Sequence, residues 1–297
     1  MATTRRLREL VASILPRLDL PDGPLVVALS GGADSAALAW LCVDSGVETT
    51  GLHIDHQLPA SPILAEAAEA IAARIGIRLN TRQVTLEDGA SPEEMARRAR
   101  YEVFSKSPLP LLTAHTLDDT VETVLINLIR GTGTTGLAGI PPFRPPRVYR
   151  PMLAITGSET REVSTLVGLP YRDDPMNTDL DLTRNRVRHE VLPMLRSMNP
   201  GIDVAIARAA SSLRRDSDYL EVQADVLDKG SLPVSVVRTV PRVLADRLFR
   251  RALQNSGIGP TADRIGRMWS VASGETDRQD LAGGKSVVRR GALLVIE

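Results

Sequence analysis

Residues 25–45 read LVVALSGGADSAALAWLCVDS. A short β-rich apolar run, LVVALS at 25–30, meets a Gly-Gly pair and gives way to helix-favouring apolar spacing over 33–45. The pattern predicts a strand, a tight turn and a helix. Two glycines let the backbone turn so that successive N–H groups and the helix N-terminus point at one anion. Ser30 and Ser35 add hydroxyl donors, whereas Asp34 beside a phosphate implies Mg2+ or a cationic substrate. An ordinary βα turn with a Ser/Asp cap is the plainer alternative. It leaves the full hexapeptide Ser30-Gly31-Gly32-Ala33-Asp34-Ser35 unexplained.

Outward from this unit the alternation continues. GLHI (51–54), IRLNTRQV (77–84) and LPLLTA (109–114) read as strands. PILAEAAEAIAARIG (62–76), SPEEMARRARYEVF (91–104) and LDDTVETVLINLIR (117–130) read as helices. In the second of these Ser91 is the expected N-cap, Pro92 the first helical residue and Glu94 the partner of the cap. Strands separated by helices predict an α/β domain, a mostly parallel sheet with helices on both faces. From Gly131 to Pro151 the chain is too rich in Gly and Pro for a regular element. Such a segment is either a surface connection or functional. A helical pattern at 203–227, helices at 241–254 and near 261–272, and a hairpin of KSVV and ALLVIE around Arg289–Gly291 complete the chain. The expected division is an α/β domain over 1–202 and a smaller, mainly helical domain over 203–297.

Composition narrows the function classes. A length of 297 residues suits about two domains. Apolar residues at 43% and charged residues at 24% exclude wholesale disorder. The single cysteine, Cys42, excludes an internal disulfide, a CxxC redox pair and an iron–sulfur site built from this chain. No apolar run approaches the ~18 residues of a spanning helix, and MATTRRLREL has no apolar signal region. A soluble, cytoplasmic protein with no membrane partner is expected; an oligomer is compatible with the sequence. Net charge is zero, which argues against a generally cationic nucleic-acid binder. The charge is nonetheless uneven, −4 over 1–204 and +4 over 205–297. Arginine makes up 33 of the 36 basic residues, matching either GC-rich coding or a phosphate-directed surface. Arg214, Arg215, Arg247, Arg250 and Arg251 fall on the predicted helices of the tail and pose that same choice.

Further motifs lie at the other strand ends. In His53-Ile54-Asp55-His56, alternation puts His53 and Asp55 on one face. A zinc site would need more ligands, and cysteine is unavailable. These groups are either polar residues at the mouth of a nucleotide cleft or hydrogen-bonded turn residues. In TAHTLDDTVET (113–123), helical spacing gathers His115, Asp118, Asp119 and Glu122 on about a third of the circumference. Leu117, Val121, Val124 and Leu128 lie opposite as the expected core face. An acidic cluster near a strand's carboxyl end can hold Mg2+ or an ammonium group. A solvated helix face with dipole-favoured acids is the alternative, though it gives no reason for His115. Arg184-Asn185-Arg186-Val187-Arg188 spaces three arginines as a phosphate-directed comb or a charged helix start, and Arg97 and Arg100 ahead of Tyr101 pose the same choice.

Taken together these segments resemble the bacterial tRNA(Ile)-lysidine synthase family, short form, within the PP-loop ATP pyrophosphatases. The landmarks are SGGADS (30–35), HIDH (53–56), ARRARY (96–101), TAHTLDDTVET (113–123), LIRGTGTTGLAGIPP (128–142), RPML (150–153), DDPMNTD (173–179) and TRNRVRHEVLP (183–193). They span roughly residues 25–200. The chain departs from the family pattern at Gln57-Leu58-Pro59, where a Gly and then a basic residue are usual, at Thr120 and at Leu182. The resemblance implies a PP-loop catalytic domain over 1–202 and a tRNA-contacting tail. It implies two steps. ATP adenylates C2 of the first-anticodon-position cytidine of tRNA(Ile) bearing CAU, and free L-lysine then displaces AMP to give lysidine. It further implies that Ser30, Gly31, Gly32, Ala33, Asp34, Ser35 and His53 bind ATP, with Asp34 holding Mg2+. Asp34, His115, Asp119 and Glu122 would be catalytic; Asp118, Arg97, Arg100, Asn185, Arg186 and Arg188 would bind substrate. Another PP-loop tRNA-modifying or amidating enzyme, or a non-catalytic ATP-binding sensor, is the alternative.

Overall fold

The computed structural model describes residues 2–59, 61–84, 92–174 and 182–297. The N-cap expected at Ser91 and residues 175–179 of the DDPMNTD landmark lie outside the described residues. The chain divides into two compact units, Met1–Ser211 and Ser212–Glu297. The division falls within helix α10 (Ile202–Leu227), whose start is where the sequence places its boundary.

The first unit is organised on β1 (Leu25–Ala28). Side chains alternate across a strand. Leu25 and Val27 therefore join one apolar layer, with Leu10 and Ile14 of α1 (Ala2–Ile14), Leu38 and Leu41 of α2 (Ala33–Asp44) and Val163 of α7 (Gly157–Val167). Val26 and Ala28 face the other layer, with Phe104 of α4 (Pro92–Ser105), Leu111 and Val148. Both faces are thus covered, which is why β1 reads as a continuous apolar run. Parallel neighbours follow on either side: β2 (Thr49–Asp55) then β3 (Arg78–Gln83) on one, β4 (Leu111–Leu112) on the other. Helix α3 (Ser61–Ile75) links β2 to β3, and α5 (Leu117–Ile129) follows β4. Cys42 lies wholly within the α2 layer, and burial pushes its thiol up to about 12.

The expectation that 131–151 holds no regular element fails. After a short α6 (Thr134–Leu137), β5 (Phe143–Arg144) and β6 (Val148–Tyr149) form an antiparallel pair across a turn with a cis Pro145–Pro146 peptide. β6 pairs with β4 in parallel, completing the sheet order β3-β2-β1-β4-β6-β5. Two-residue strands carry no periodic signal; the ladder to β4 and the burial of Val148 create them. The expected core face of α5 also shifts. The buried stripe runs through Leu117 and Val121 with Leu125 half-buried beyond them, whereas Leu128 and Ile129 are exposed.

In the second unit α11 (Val234–Thr239), α12 (Arg242–Asn255) and α13 (Ala262–Ser273) pack Val237, Phe249, Leu253, Met268 and Val271 into one core. The expected hairpin is present as β9 (Ser286–Arg290) and β10 (Leu293–Ile296). It is widened by β7 (Leu232–Pro233) and β8 (Arg278–Asp280) to the antiparallel order β7-β10-β9-β8. Two tail arginines open to a phosphate-directed role are taken up internally. Buried Arg247 pairs with Glu221 at 2.9 Å, and Arg251 pairs with Glu221 and Asp225 at 2.9 and 2.6 Å. No helix among the described residues is long and apolar enough to cross a membrane.

Candidate active site

Strands β1 and β4 are neighbours, yet the chain leaves β1 towards β2 and β3 before returning on the other side. Their carboxyl ends therefore flank the crevice at which open α/β sheets bind ligands. The Ser30–Ser35 turn leaves one end and the His115–Glu122 segment leaves the other.

The Ser30–Ser35 turn is held by its own hydroxyls. Ser30 N–H donates to Ser35 Oγ at 3.1 Å, Ser35 Oγ donates to the Gly32 carbonyl at 2.9 Å, and Gly32 N–H reaches Ser30 Oγ at 3.3 Å. Gly31 has φ +90°, and a Cβ there would run into the backbone carbonyl of Leu64. Only glycine fits that position. Gly32 caps α2, so the first helical N–H groups, near Ala33 and Asp34, are left to an anion. His53 ends the cradle at β2: its Nδ1 donates to the Leu29 carbonyl at 2.8 Å, and its buried Nε2 has no partner among the described residues. That leaves a bare acceptor at the strand end. His56 Nδ1 is likewise buried without a partner among the described residues, and burial, then the Arg100 charge, pushes its pKa down to about 4.

Asp34 accepts a hydrogen bond from the Thr160 hydroxyl. Its carboxyl is pushed up to about 6, by burial above all; the Thr160 hydrogen bond works against this and the charges of Asp119 and Asp118 assist it. A carboxylate that burial and like charges disfavour is stabilised by a cation. The residues present therefore fit a nucleotide triphosphate with Mg2+, an ion that uses one or two carboxylates and substrate phosphates.

The acids of α5 do not form one open face. His115 precedes the helix, where its Nδ1 lies 2.9 Å from Thr113 Oγ1. Burial, followed by the cationic Arg150, Arg184 and Arg97 and against the Asp119 charge, pushes its pKa down to about 4, so it is neutral at pH 7. Asp118 accepts from Gly157 N–H at 2.7 Å and from Arg196 at 3.1 Å. Asp119 closes a capping box on Thr116 N–H at 2.8 Å and takes Arg184 at 2.6 Å. Glu122 is wholly buried, clasped by Arg184 Nε at 2.7 Å and Arg188 Nε at 2.5 Å. The comb is therefore not uniformly phosphate-directed. Helix α8 (Thr183–Arg186) runs into a π turn (Val187–Val191), which turns Arg184 and Arg188 to Glu122 while Val187 packs on Val121. Arg186 stays exposed beside Glu190, and Asn185 is buried.

Beyond His115 opens a cavity of about 560 Å³ whose lining includes Arg97, Arg130, Arg144, Arg150 and Arg184. Tyr101 organises three of these. Arg144 and Arg97 lie 3.9 and 5.2 Å from its ring centroid, and buried Arg150 donates to its hydroxyl at 2.8 Å and to the Pro141 carbonyl. The structure thus brings Asp34, Asp118, Asp119, Glu122 and Arg188 into one charge network and Arg97 and His115 into one cavity. Arg100 and Arg186 are not in that lining. The residues missed from sequence are Arg130, Arg144, Arg150 and Thr160. The three-residue spacing of Arg144, Arg147 and Arg150 was a usable signal; Thr160 left none.

Residues 2–195 match the PP-loop domain family. The chain is 37% identical over 250 residues to the tRNA(Ile)-lysidine synthase of Nocardia farcinica, covering 81% of this chain and 78% of that protein. It is 36% identical over 292 residues to that of Mycobacterium tuberculosis, covering 91% and 90%. Among solved structures, the U34-tRNA thiolase NcsA from Methanococcus maripaludis with its [4Fe-4S] cluster shares the fold. There the TM-score is 0.60 at 17% identity, over 70% of this chain and 78% of that one. With a PP-loop domain over about two-thirds of its length and relatives matched over 78% and 90% of theirs, the chain belongs to the tRNA(Ile)-lysidine synthase family of ligases.

Proposed function

We propose that this protein joins L-lysine to C2 of the first-anticodon-position cytidine of tRNA(Ile) bearing CAU, through an adenylated tRNA and with release of pyrophosphate and AMP. One observation carries the reading: an anion-binding turn and an arginine-lined cavity with a neutral imidazole open from the two strand ends of the sheet's switch point.

In the first step the cytidine C2 oxygen attacks the α-phosphorus of ATP, and the bond to the β-phosphate breaks. Ser30, Gly31, Gly32, Ala33 and Ser35 hold the departing pyrophosphate through N–H and hydroxyl donors, and His53 Nε2 accepts from a donor of the nucleoside. Asp34 would hold Mg2+, which offsets phosphate charge when bound. The cavity receives a flipped-out anticodon nucleotide. Arg97, Arg100, Arg186 and the cavity arginines neutralise backbone phosphates, and neutral His115 hydrogen-bonds the base. In the second step the lysine ε-amine gives a proton to the Asp119 carboxylate, attacks C2 and expels AMP. Asp119 and Glu122 recognise the lysine ammonium, which competes with Arg184 and Arg188 for their carboxylates, while Asp118 and Asn185 hold the surrounding elements in place. The second unit adds backbone contacts. Its exposed Arg238 and Arg289 border a concavity of about 530 Å³, which supports that role.

Mass spectrometry of tRNA(Ile) incubated with ATP and lysine tests the reading. A lysine-sized mass gain on the anticodon cytidine, dependent on both, is expected. Turnover of ATP with no change in the tRNA would favour an amidating relative, and no turnover at all a sensor.

A further inference from the structure

Thr160 sits in the first turn of α7 and is wholly buried. Its Oγ1 donates to Asp34 Oδ1 and lies 2.9 Å from the Gly157 carbonyl. A hydroxyl has one proton, and an ionised carboxylate outcompetes a carbonyl for it. One turn on, the equally buried Ser164 donates to the Ala33 carbonyl at 2.8 Å, fixing the backbone just ahead of Asp34. At the start of the same helix Gly157 N–H holds Asp118 at 2.7 Å. Past its end Arg172 N–H donates to the Gly31 carbonyl at 2.9 Å. Helix α7 and the segment after it therefore grip the Ser30–Ser35 turn at the Gly31 and Ala33 carbonyls and at the Asp34 carboxylate. Asp34 Oδ2 has no hydrogen-bond partner among the described residues.

We infer that Thr160 is a positioning residue for the adenylation step: its hydroxyl fixes Asp34 through Oδ1 so that Oδ2 faces the phosphate-binding turn. The inference rests on the proposed role of Asp34 as the carboxylate that meets the ATP-bound metal. A packing role alone would need Thr160's shape and not its hydroxyl. The two separate in Thr160→Val, which keeps the shape, and Thr160→Ser, which keeps the hydroxyl.

The experiment measures three quantities in the full chain: adenylated tRNA formed in single turnovers without lysine, the KM for lysine, and Mn2+ binding with a non-hydrolysable ATP analogue by electron paramagnetic resonance. Thr160→Val is expected to slow adenylation and weaken Mn2+ binding by roughly 10–100-fold, the usual effect of removing a group that orients a metal's carboxylate. The lysine KM should stay unchanged, and Thr160→Ser should lie within about 3-fold of the parent on all three measures. Should Thr160→Val not fold, Thr160→Ala set against Thr160→Ser makes the same comparison. A valine variant with parental adenylation and Mn2+ binding overturns the inference, as does a serine variant as impaired as the valine one. Asp34→Ala, run alongside, separates the two levels. If it adenylates normally, the role of Asp34 itself is wrong; if it is inactive while Thr160→Val is normal, only the role of Thr160 is wrong.

Discussion

The Ser30–Ser35 turn and the acids of α5 stand at adjacent strand ends, and they are built in opposite ways. The ties made by the Ser30 and Ser35 hydroxyls of the turn close within five positions of sequence, and its donors are backbone N–H groups at a helix start. The α5 carboxylates are instead held by Arg184, Arg188 and Arg196, 62 to 78 positions away. The difference also shows in energy. Asp34 is a carboxylate that its surroundings disfavour, whereas Glu122 is one whose removal takes an anion from both Arg184 and Arg188. A site for anions can thus be local, but the availability of an acid is decided by distant residues.

The sharpest way to break this contrast is Asp34→Ala. Activity should fall by roughly 10³-fold or more, as expected for several kcal/mol of lost charge stabilisation. Stability should not fall. With a native pKa of about 6 against 3.8 in the unfolded chain, ionising Asp34 costs the fold about 3 kcal/mol above pH 6. Thermal melting beside pyrophosphate release checks both halves; a destabilised Asp34→Ala protein would end the contrast. Glu122→Gln should behave conversely, losing about 2 kcal/mol because Arg184 and Arg188 are left half-paired at a partly solvated site. Its lysine KM should rise while adenylated tRNA still forms. An equal decline of both steps would make Glu122 an anchor for the two arginines and nothing more.

The pH dependence sharpens the same point. A raised carboxyl pKa gives stability that is present below the unfolded value and lost as pH rises through the folded one. The stability of Asp34→Asn relative to the parent should therefore grow from pH 4 to pH 6 and stay level above it. Parental adenylation should rise over that same window as Asp34 ionises. Denaturant melts and single-turnover rates across pH 4–8 read the two opposed slopes. The smallest expected effect lies next to the cradle. Gln57 is an exposed non-glycine residue at φ +56°, its N–H bound to Asp55 Oδ1 at 2.8 Å. Gln57→Gly should stabilise by about 0.5–1 kcal/mol, since relief of left-handed strain exceeds the added chain entropy. Chemical denaturation measures it.

The contrast also explains what could be read in advance. LVVALSGGADS discloses strand, turn and helix together because all three are properties of neighbouring residues. The acids of α5 were visible as residues, but the arginines that enclose Glu122 and Asp119 were not visible as their partners, since nothing in the spacing of 184–188 fixes which way they turn. Strand β6 was illegible for a related reason. Val148-Tyr149 has no pattern of its own and becomes a strand only because β4 offers a ladder. Thr160 is the limiting case, a single hydroxyl whose meaning depends on a carboxylate 126 positions earlier.

Cys42 turns the helix behind the phosphate turn into its own reporter. With a thiol pKa of about 12, only about one molecule in 10⁵ carries a thiolate at pH 7. Since the side chain is wholly enclosed, alkylating reagents reach it only when α2 detaches from its layer. The rate of modification by a maleimide therefore clocks the opening of α2, with no engineered label and no competing thiol in the chain. Nucleotide that docks on the α2 N-terminus must slow that clock in proportion to how firmly it pins the helix, so occupancy of the turn can be read without any chemistry taking place.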